Sequence, residues 1–143
     1  METVLTGTDD DGTPVAGGAA AEIREIFRQL DEILEGEGLT KKNLCSARLY
    51  LQHVNRDIAE VNTVWTEYLG DHPVNRRAYG VDLQNGMLVE AGFVADTSPE
   101  GRLRAADVRD ARLRAKIGES AWSDLVAERA ARRTRAEAAG KIR

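Results

Sequence analysis

The chain has 143 residues, of which 42% are hydrophobic, so it is long enough for one ordinary hydrophobic core and too short for two. No run of residues approaches the roughly 18 apolar positions of a membrane-spanning helix. The N-terminal stretch METVLTGTDDDG lacks the basic and apolar regions of a secretory signal, so we expect a cytoplasmic protein. The single cysteine, Cys45, excludes an internal disulfide and is expected to be buried as a small apolar side chain.

Charge is unevenly distributed along the chain. Residues 1–96 carry 17 acidic and 8 basic side chains, whereas residues 97–143 carry 7 acidic and 12 basic ones, which gives net charges of −9 and +5. Basic side chains attract nucleic acid, but the net charge of the whole chain is −4, which opposes an approach to phosphate. We expect the basic segment to be a solvated helix against the acidic body, and nucleic-acid binding is disfavoured.

The first third of the chain predicts two strands, a helix and a third strand. VLTG and TPVA flank the acidic turn DDDG, a pattern typical of a β-hairpin. After Gly17 and Gly18, apolar residues recur every three or four positions, as on one side of an amphipathic helix that ends near Gly36 or Gly38. The segment from Leu44 to Leu51 then predicts a buried strand.

The middle of the chain predicts a second helix followed by two strands. Asn55 is a favourable cap for a helix that ends at Gly70. Residues 77–81 and 87–95 predict two strands joined by a turn at residues 84–86. The resulting order, β β α β α β β, predicts an α+β fold whose mixed sheet carries both helices on one face.

Beyond residue 96 the sequence predicts charged helices. The Ser-Pro-Glu run at 98–100 is a helix-start signal, and helices are expected over residues 102–117 and 120–138. We therefore predict two domains, an α+β domain over residues 1–96 and a charged helical extension over residues 97–143.

Candidate chemistry centres on a few polar residues near the last two strands. The sequence contains no motif for a metal, a phosphate loop, a dinucleotide or a nucleophile elbow, so no metal and no cofactor are predicted. Glu90 is the most informative residue because it interrupts the apolar run MLVEAGFVA. A carboxylate there is either ion-paired with Arg76 or Arg77, or it faces a wet cleft where it can orient or deprotonate a water molecule. The sequence leaves both alternatives open.

The order and spacing of several segments resemble the RidA family, also called YjgF-like proteins. These segments run from about Val4 to Val94 and include GTDDDGTPVAGGAAAEIREIFRQLDEILEGEGL, CSARLYL, AEVNTVWTEYLGDHP and MLVEAGFVA. The resemblance implies a chorismate-mutase-like α+β fold, a homotrimer and ligand clefts between subunits. It also implies hydrolysis of reactive enamines and imines to 2-keto acids and ammonia without a cofactor, with an arginine that binds the substrate carboxylate and a glutamate that positions the attacking water.

By position, the resemblance assigns the water-positioning role to Glu90 and a substrate-binding role to Asn62. The family's arginine falls on Asn75, a second substrate-binding candidate, and Arg76 and Arg77 follow it. Because side chains alternate along a strand, Arg77 is expected to share the face of Asn75, whereas Arg76 needs a one-residue bulge to reach it. The family's first strand and its aromatic-bearing loop have no counterpart early in this sequence, and the helical extension is not a family feature.

Two functions are consistent with the sequence. The first is a diverged RidA-like enzyme that acts on a small polar metabolite, by imine or enamine hydrolysis or a related step, in a cleft between subunits. Glu90 would position water there, and Arg76 or Arg77 would bind the substrate. The alternative is a non-catalytic trimer that binds a ligand, or a protein partner through residues 97–143. The altered arginine and the extension motivate the alternative.

Overall fold

The computed structural model describes residues 1–140. Its elements follow in the order β1 (Glu2–Thr6), α1 (Gly18–Gly36), a 3-10 turn (Lys41–Asn43), β2 (Leu44–Leu51), α2 (Val54–Leu69), β3 (Asn75–Gly80), β4 (Val89–Ala95), α3 (Pro99–Ile117) and α4 (Glu119–Ala138). The chain forms two compact units, one over Met1–Ala105 and a second that begins at Ala106 within α3. The first unit combines a sheet with α1 and α2, so the predicted α+β fold is confirmed.

The strands form one mixed sheet in the order β1-β4-β2-β3. β4 is antiparallel to both β1 and β2, whereas β3 is parallel to β2. The parallel pairing follows from the connection, because α2 returns the chain to the end of the sheet where β2 began. β3 therefore forms one edge of the sheet, and the N-terminal strand β1 forms the other.

Two strand pairings expected from the sequence are wrong. The TPVA segment makes only an isolated bridge between Thr8 and Pro14, and β1 pairs with β4 instead. Pro14 has no amide hydrogen to donate, which disfavours a continuous ladder at this point. β3 and β4 are not paired with each other, because β2 lies between them. The turn at Asn85 and Gly86 therefore belongs to a connection that crosses from one side of β2 to the other.

An apolar stripe holds α1 against the sheet. The side chains of Ile23, Ile26, Leu30 and Leu34 are buried at the spacing that the sequence predicts. The helix begins directly after Gly17, whose φ of 117° lies in the left-handed region that favours glycine. α1 packs against β1, β4 and α2.

The cap of α2 lies two residues earlier than predicted, so the helix begins at Val54 and Asn55 lies in its first turn. His53 takes the cap position, and its side chain makes no capping hydrogen bond. Val61 and Val64 are buried, and α2 packs against α1, β2 and β3. Both helices thus cover the same face of the sheet, as predicted.

The strands bury alternate residues beneath these helices. The alternating buried residues are Ala47, Leu49 and Leu51 of β2 and Val89, Ala91, Phe93 and Ala95 of β4, and Leu44 is also buried at the start of β2. Aromatic rings join the sheet to the helices, because the ring centroid of Phe93 lies 6.2 Å from that of Phe27 and 6.4 Å from that of Trp65. The core of the first unit therefore lies on one side of the sheet only.

Cys45 is exposed, so the expectation of a buried thiol is wrong. The ladder between β2 and β4 shifts register between Leu44 and Ser46, which leaves Cys45 outside the regular alternation. Its Sγ donates a hydrogen bond of 3.3 Å to the backbone oxygen of Val94.

The first turns of α3 belong to the first unit. The helix begins at Pro99, as the Ser-Pro-Glu signal indicates, three residues before the predicted range of 102–117. Ser98 Oγ accepts a hydrogen bond of 3.1 Å from the Gly101 amide. The side chain of Asn43 donates a hydrogen bond of 2.7 Å to the backbone oxygen of Gly101, and Ala105 is fully buried.

The second unit contains the rest of α3 and the whole of α4, joined at Gly118. α4 has no buried residue. Arg129 donates a hydrogen bond of 3.3 Å to Asp110, and its guanidinium lies 5.7 Å from the ring centroid of Trp122. These polar contacts, rather than an apolar core, connect the two helices.

Candidate functional site

The sheet face opposite the two helices carries mostly polar side chains, and we call it the open face. Its residues occupy the strand positions that alternate with the buried ones. The pairing register arranges them in three rows that run from β1 to β3. The first row holds Thr6, Glu90, Tyr50 and Tyr79, the second holds Val4, Gly92, Arg48 and Arg77, and the third holds Glu2, Val94, Ser46 and Asn75.

Glu90 lies on the open face of β4, between Thr6 of β1 and Tyr50 of β2. It is half-buried, whereas its neighbours Val89 and Ala91 are fully buried on the helix side. The carboxylate therefore avoids the core by pointing to the other face. Within residues 1–140, no ion pair involves Glu90. The expected ion pair of Glu90 with Arg76 or Arg77 is therefore not formed in the described residues, and Glu90 lies on the exposed face of the sheet.

Arg77 shares the open face with Asn75, and it lies directly beside Arg48 of β2. Together with Ala47, Ser46 and Tyr79, these residues line a cleft of about 320 Å³. No aspartate or glutamate lines this cleft. Because arginine stays protonated at any physiological pH, the cleft carries two positive charges and several hydrogen-bond donors.

Arg48 lies closer to Glu90 than Arg77 does. Arg48 pairs with Gly92, which is two residues from Glu90 on the same face, so a diagonal of about 7–8 Å separates the Cα atoms of Arg48 and Glu90. Two strand spacings and two residues separate Arg77 from Glu90, which makes their Cα distance about 12 Å. Gly92 lies between Glu90 and Arg48 on the open face, and because glycine has no side chain it leaves the surface between them open.

Arg76 and Asn62 lie on the opposite side of the sheet from Glu90. The Arg76 guanidinium donates a hydrogen bond of 2.7 Å to Oδ1 of Asn62, and it lies 4.9 Å from the ring centroid of Trp65. Burial lowers the pKa of Arg76. The ladder between β2 and β3 is continuous, so no bulge turns Arg76 toward the open face. The structure thus brings together Glu90, Arg77 and Asn75 on one face, and Arg76 and Asn62 on the other.

Three residues of the open face were missed from the sequence. They are Arg48, Tyr50 and Tyr79. The rings of Tyr50 and Tyr79 are stacked with their centroids 5.8 Å apart, and Tyr50 lies next to Glu90. A signal was present, because polar Ser46, Arg48 and Tyr50 alternate with the apolar residues of β2. Such alternation marks a strand with one exposed face rather than a fully buried one.

A buried carboxylate, Glu22, was also missed. Its Oε1 accepts hydrogen bonds of 2.8 Å from the Leu88 amide and 3.3 Å from the Val89 amide, directly before Glu90. Burial raises the pKa of Glu22, although the two backbone hydrogen bonds oppose the shift. The sequence signal was an acid within the apolar stripe of α1, four residues before Ile26. Glu22 therefore fixes the start of β4 and with it the position of Glu90.

No group of three or more His, Cys, Asp or Glu side chains within residues 1–140 is arranged to hold a metal ion. Over the same residues, no helix is both long enough and apolar enough to cross a membrane.

Comparisons with known proteins agree on the fold. Residues 5–97 match the family model described as Endoribonuclease L-PSP. The structure resembles yeast Mmf1, with a TM-score of 0.61 and 21% identity over 66% of this chain and 76% of that one. A protein of unknown function of the conserved Rid family, YyfA from Yersinia pestis, gives a TM-score of 0.61 and 21% identity over 66% of this chain and 77% of its own.

RidA from the Antarctic bacterium Psychrobacter sp. PAMC 21119 gives a TM-score of 0.59 and 22% identity, over 65% of this chain and 76% of that one. No curated protein matches the sequence. The matched region contains all of the sheet from Leu5 onward, both covering helices and the open face. The chain therefore belongs to the Endoribonuclease L-PSP family, that is, to the YjgF/RidA family.

Proposed function

We propose that this protein is a hydrolase of small imines or enamines that carry a carboxylate, and that it works as a homotrimer. The observation that supports the proposal most directly is the position of Glu90. Its carboxylate lies on the open face without an ion-pair partner in the described residues, on the same surface as two arginines. A carboxylate in this setting accepts a hydrogen bond from water, and the arginines provide the charge that binds a carboxylate substrate.

The proposed reaction needs no group beyond the substrate, water and these side chains. Arg48 and Arg77 bind the carboxylate, which places the C=N carbon toward Glu90. Glu90 takes a proton from water while the water oxygen bonds to that carbon, and the proton then passes to nitrogen. Glu90 then moves the proton of the carbinolamine hydroxyl to the nitrogen, the C=O bond forms as the C–N bond breaks, and ammonia and a 2-keto acid are released. An enamine first takes a proton on carbon and then follows the same route.

A homotrimer accounts for the uncovered sheet face. Val4 and Tyr79 are large hydrophobic residues on the open face, yet Val4 is 62% exposed and Tyr79 is 40% exposed. They lie on the two edge strands, β1 and β3, so they do not form one patch, but each leaves apolar surface exposed in the single chain. We propose that other copies of the chain cover part of this face and enclose the cleft, as the family resemblance implies.

The test is release of 2-keto acid from imines generated in situ, measured for the wild-type protein and for Glu90→Gln. We expect Glu90→Gln to lower the rate by about 10²- to 10⁴-fold, the usual contribution of a positioned acid-base group. Glu35→Gln is a matched control, because Glu35 is an exposed residue of α1 and its substitution should leave the rate unchanged. Size-exclusion chromatography should give the same elution volume for all three proteins, which shows that the substitutions leave the oligomeric state unchanged. Equal rates for wild type and Glu90→Gln would remove Glu90 from the mechanism.

The alternative is a non-catalytic trimer that binds a small ligand or a protein partner. It is favoured by one observation, namely that Asn75 occupies the family's arginine position while Arg76 is held by Asn62 on the other face. This alternative predicts saturable ligand binding with no keto-acid release from any imine. Binding of a protein partner through residues 97–143 predicts copurification that charge-reversing changes in α4, such as Arg132→Glu, abolish.

A further inference from the structure

Arg48 and Arg77 are direct neighbours in the parallel ladder between β2 and β3, and both are exposed on the open face. Like charges placed opposite each other in a sheet destabilise it. Within residues 1–140, no ion pair with an aspartate or glutamate compensates either of them. The arrangement therefore has an electrostatic cost that a bound anion would relieve.

The lining of the cleft beside this arginine pair contains donors and no acid. Ser46 and Asn75 are the adjacent pair on one side, and Tyr79 lies on the other. A hydroxyl and an amide both donate hydrogen bonds, and two guanidinium forks match the geometry of paired oxygens. Glu90, the nearest acid on the open face by register, lies in a different row on β4. A cleft of about 320 Å³ is large enough for a compact anionic group.

We propose that this cleft binds a compact group with two negative charges, and hence that the substrate of the proposed reaction is a dianion. Two guanidinium groups with flanking donors offer more hydrogen bonds than a single carboxylate accepts, and they match a phosphate group or a pair of carboxylates. The statement that the bound dianion is a substrate rests on the proposed function. Binding itself requires only Ser46, Arg48, Asn75 and Arg77, and it does not require Glu90.

The test is isothermal titration calorimetry on the full-length protein with three probes, namely inorganic phosphate, malonate and acetate. We expect phosphate or malonate to bind at least about tenfold more tightly than acetate at equal ionic strength, which corresponds to about 1.4 kcal/mol. The comparison of phosphate with malonate distinguishes a phosphate group from a pair of carboxylates. Equal affinities for all three probes would overturn the proposal.

Variants assign the binding to the arginine pair. Arg48→Gln and Arg77→Gln should each weaken dianion binding at least about tenfold, and Arg48→Lys should weaken it less because the charge remains. Arg112→Gln is the matched control, since it removes one exposed positive charge from α3 in the second unit. Circular dichroism identifies any variant that fails to fold, and Arg48→Lys then replaces Arg48→Gln in the comparison. Undiminished binding in folded arginine variants would contradict the proposal.

Two results separate this inference from the proposed function. Glu90→Gln should lose turnover but keep dianion binding. Dianion binding by the wild-type protein without turnover of any imine would refute only the hydrolase. Turnover of imines with a single charge, together with no preference for dianions, refutes only the dianion site. If Arg48→Gln instead dissociates the oligomer without any ligand effect, the arginines bind acids of another copy, and the proposal is wrong.

Discussion

Asn62 accepts a hydrogen bond of 2.7 Å from the guanidinium of Arg76, so the two residues connect α2 to the edge strand β3. The same guanidinium lies over the ring of Trp65, whose other neighbours belong to the core. Both contacts lie on the side of the sheet away from Glu90. Their role is therefore to hold β3 in place beneath α2, which in turn sets the direction of Asn75 and Arg77.

Replacement of Arg76 should affect stability. Arg76→Ala removes a charge-assisted hydrogen bond and a cation–π contact, and because the residue is partly exposed we expect a loss of about 1–2 kcal/mol in the free energy of unfolding. Urea denaturation measures this loss. Arg77→Ala is the control, since it removes the same side chain from the open face and should cost less than about 0.5 kcal/mol. Equal losses for the two variants would mean that the contacts with α2 contribute nothing.

The pH dependence of stability should contain a contribution from Glu22. Its pKa is raised above the ordinary value of 4.5 by burial, so the folded state binds the Glu22 proton more tightly than the unfolded state does. The stabilisation linked to this proton is therefore complete below the unfolded value and is lost as pH rises through the folded pKa. Glu22→Gln keeps an acceptor oxygen for the Leu88 amide but cannot ionise, so its stability relative to wild type should increase as pH rises.

Urea denaturation of wild type and Glu22→Gln between about pH 4 and about pH 7 measures this difference. Glu35→Gln is again a suitable control, because this exposed carboxylate of α1 has no buried environment that would produce the trend. A stability difference between wild type and Glu22→Gln that stays constant over the whole pH range would contradict the assignment.

Helices and strands could be predicted from local pattern, but strand partners could not. The apolar repeat of α1 and the run of β4 are properties of short segments, so their positions follow from the sequence. The pairing of β1 with β4 joins opposite ends of the first unit, and nothing in the residues of either strand specifies the partner. The local rule for hairpins therefore gave the wrong neighbour for β1.

The same distinction between local pattern and strand pairing explains which residues of the candidate site could be predicted. Alternation along β3 placed Asn75 and Arg77 on one face and Arg76 on the other, because this requires only the period of a strand. The proximity of Arg48 to both Arg77 and Gly92 depends on β2 lying between β3 and β4, which is a property of the sheet order. Glu22 likewise acquires its role only when α1 packs against the segment before β4.

Close packing between Gly7 and α1 predicts a strong effect of a single methyl group. A Cβ at position 7 would lie 2.5 Å from backbone atoms of Glu22, which cannot move independently of the helix. Gly7→Ala should therefore cost at least about 1–3 kcal/mol, the usual penalty for overpacking. Thermal denaturation measures the effect. Gly36→Ala, where a Cβ meets no atom within 4 Å, should be neutral or stabilising, and a similar loss in both variants would contradict this explanation.

Gly92 offers a way to block the open face without disturbing the core. A Cβ at this position lies 3.7 Å from Val4 Cγ2 and 3.8 Å from the Thr3 backbone oxygen, both ordinary contacts. Gly92→Val should therefore fold with unchanged or increased stability, since β-branched residues suit strands. Its side chain would occupy the surface between Glu90 and Arg48, so we expect keto-acid release to fall at least about tenfold, a loss of about 1.4 kcal/mol of transition-state stabilisation.

Parallel measurement of thermal unfolding and keto-acid release separates these two effects of the Gly92 change. Gly36→Ala again provides a glycine control that lies far along α1 from the open face and should leave both quantities close to wild type. A stable Gly92→Val protein with full activity would show that the substrate does not cross the surface between Glu90 and Arg48. The reacting carbon would then have to reach Glu90 from the β1 side of the sheet, where Thr6 is its neighbour.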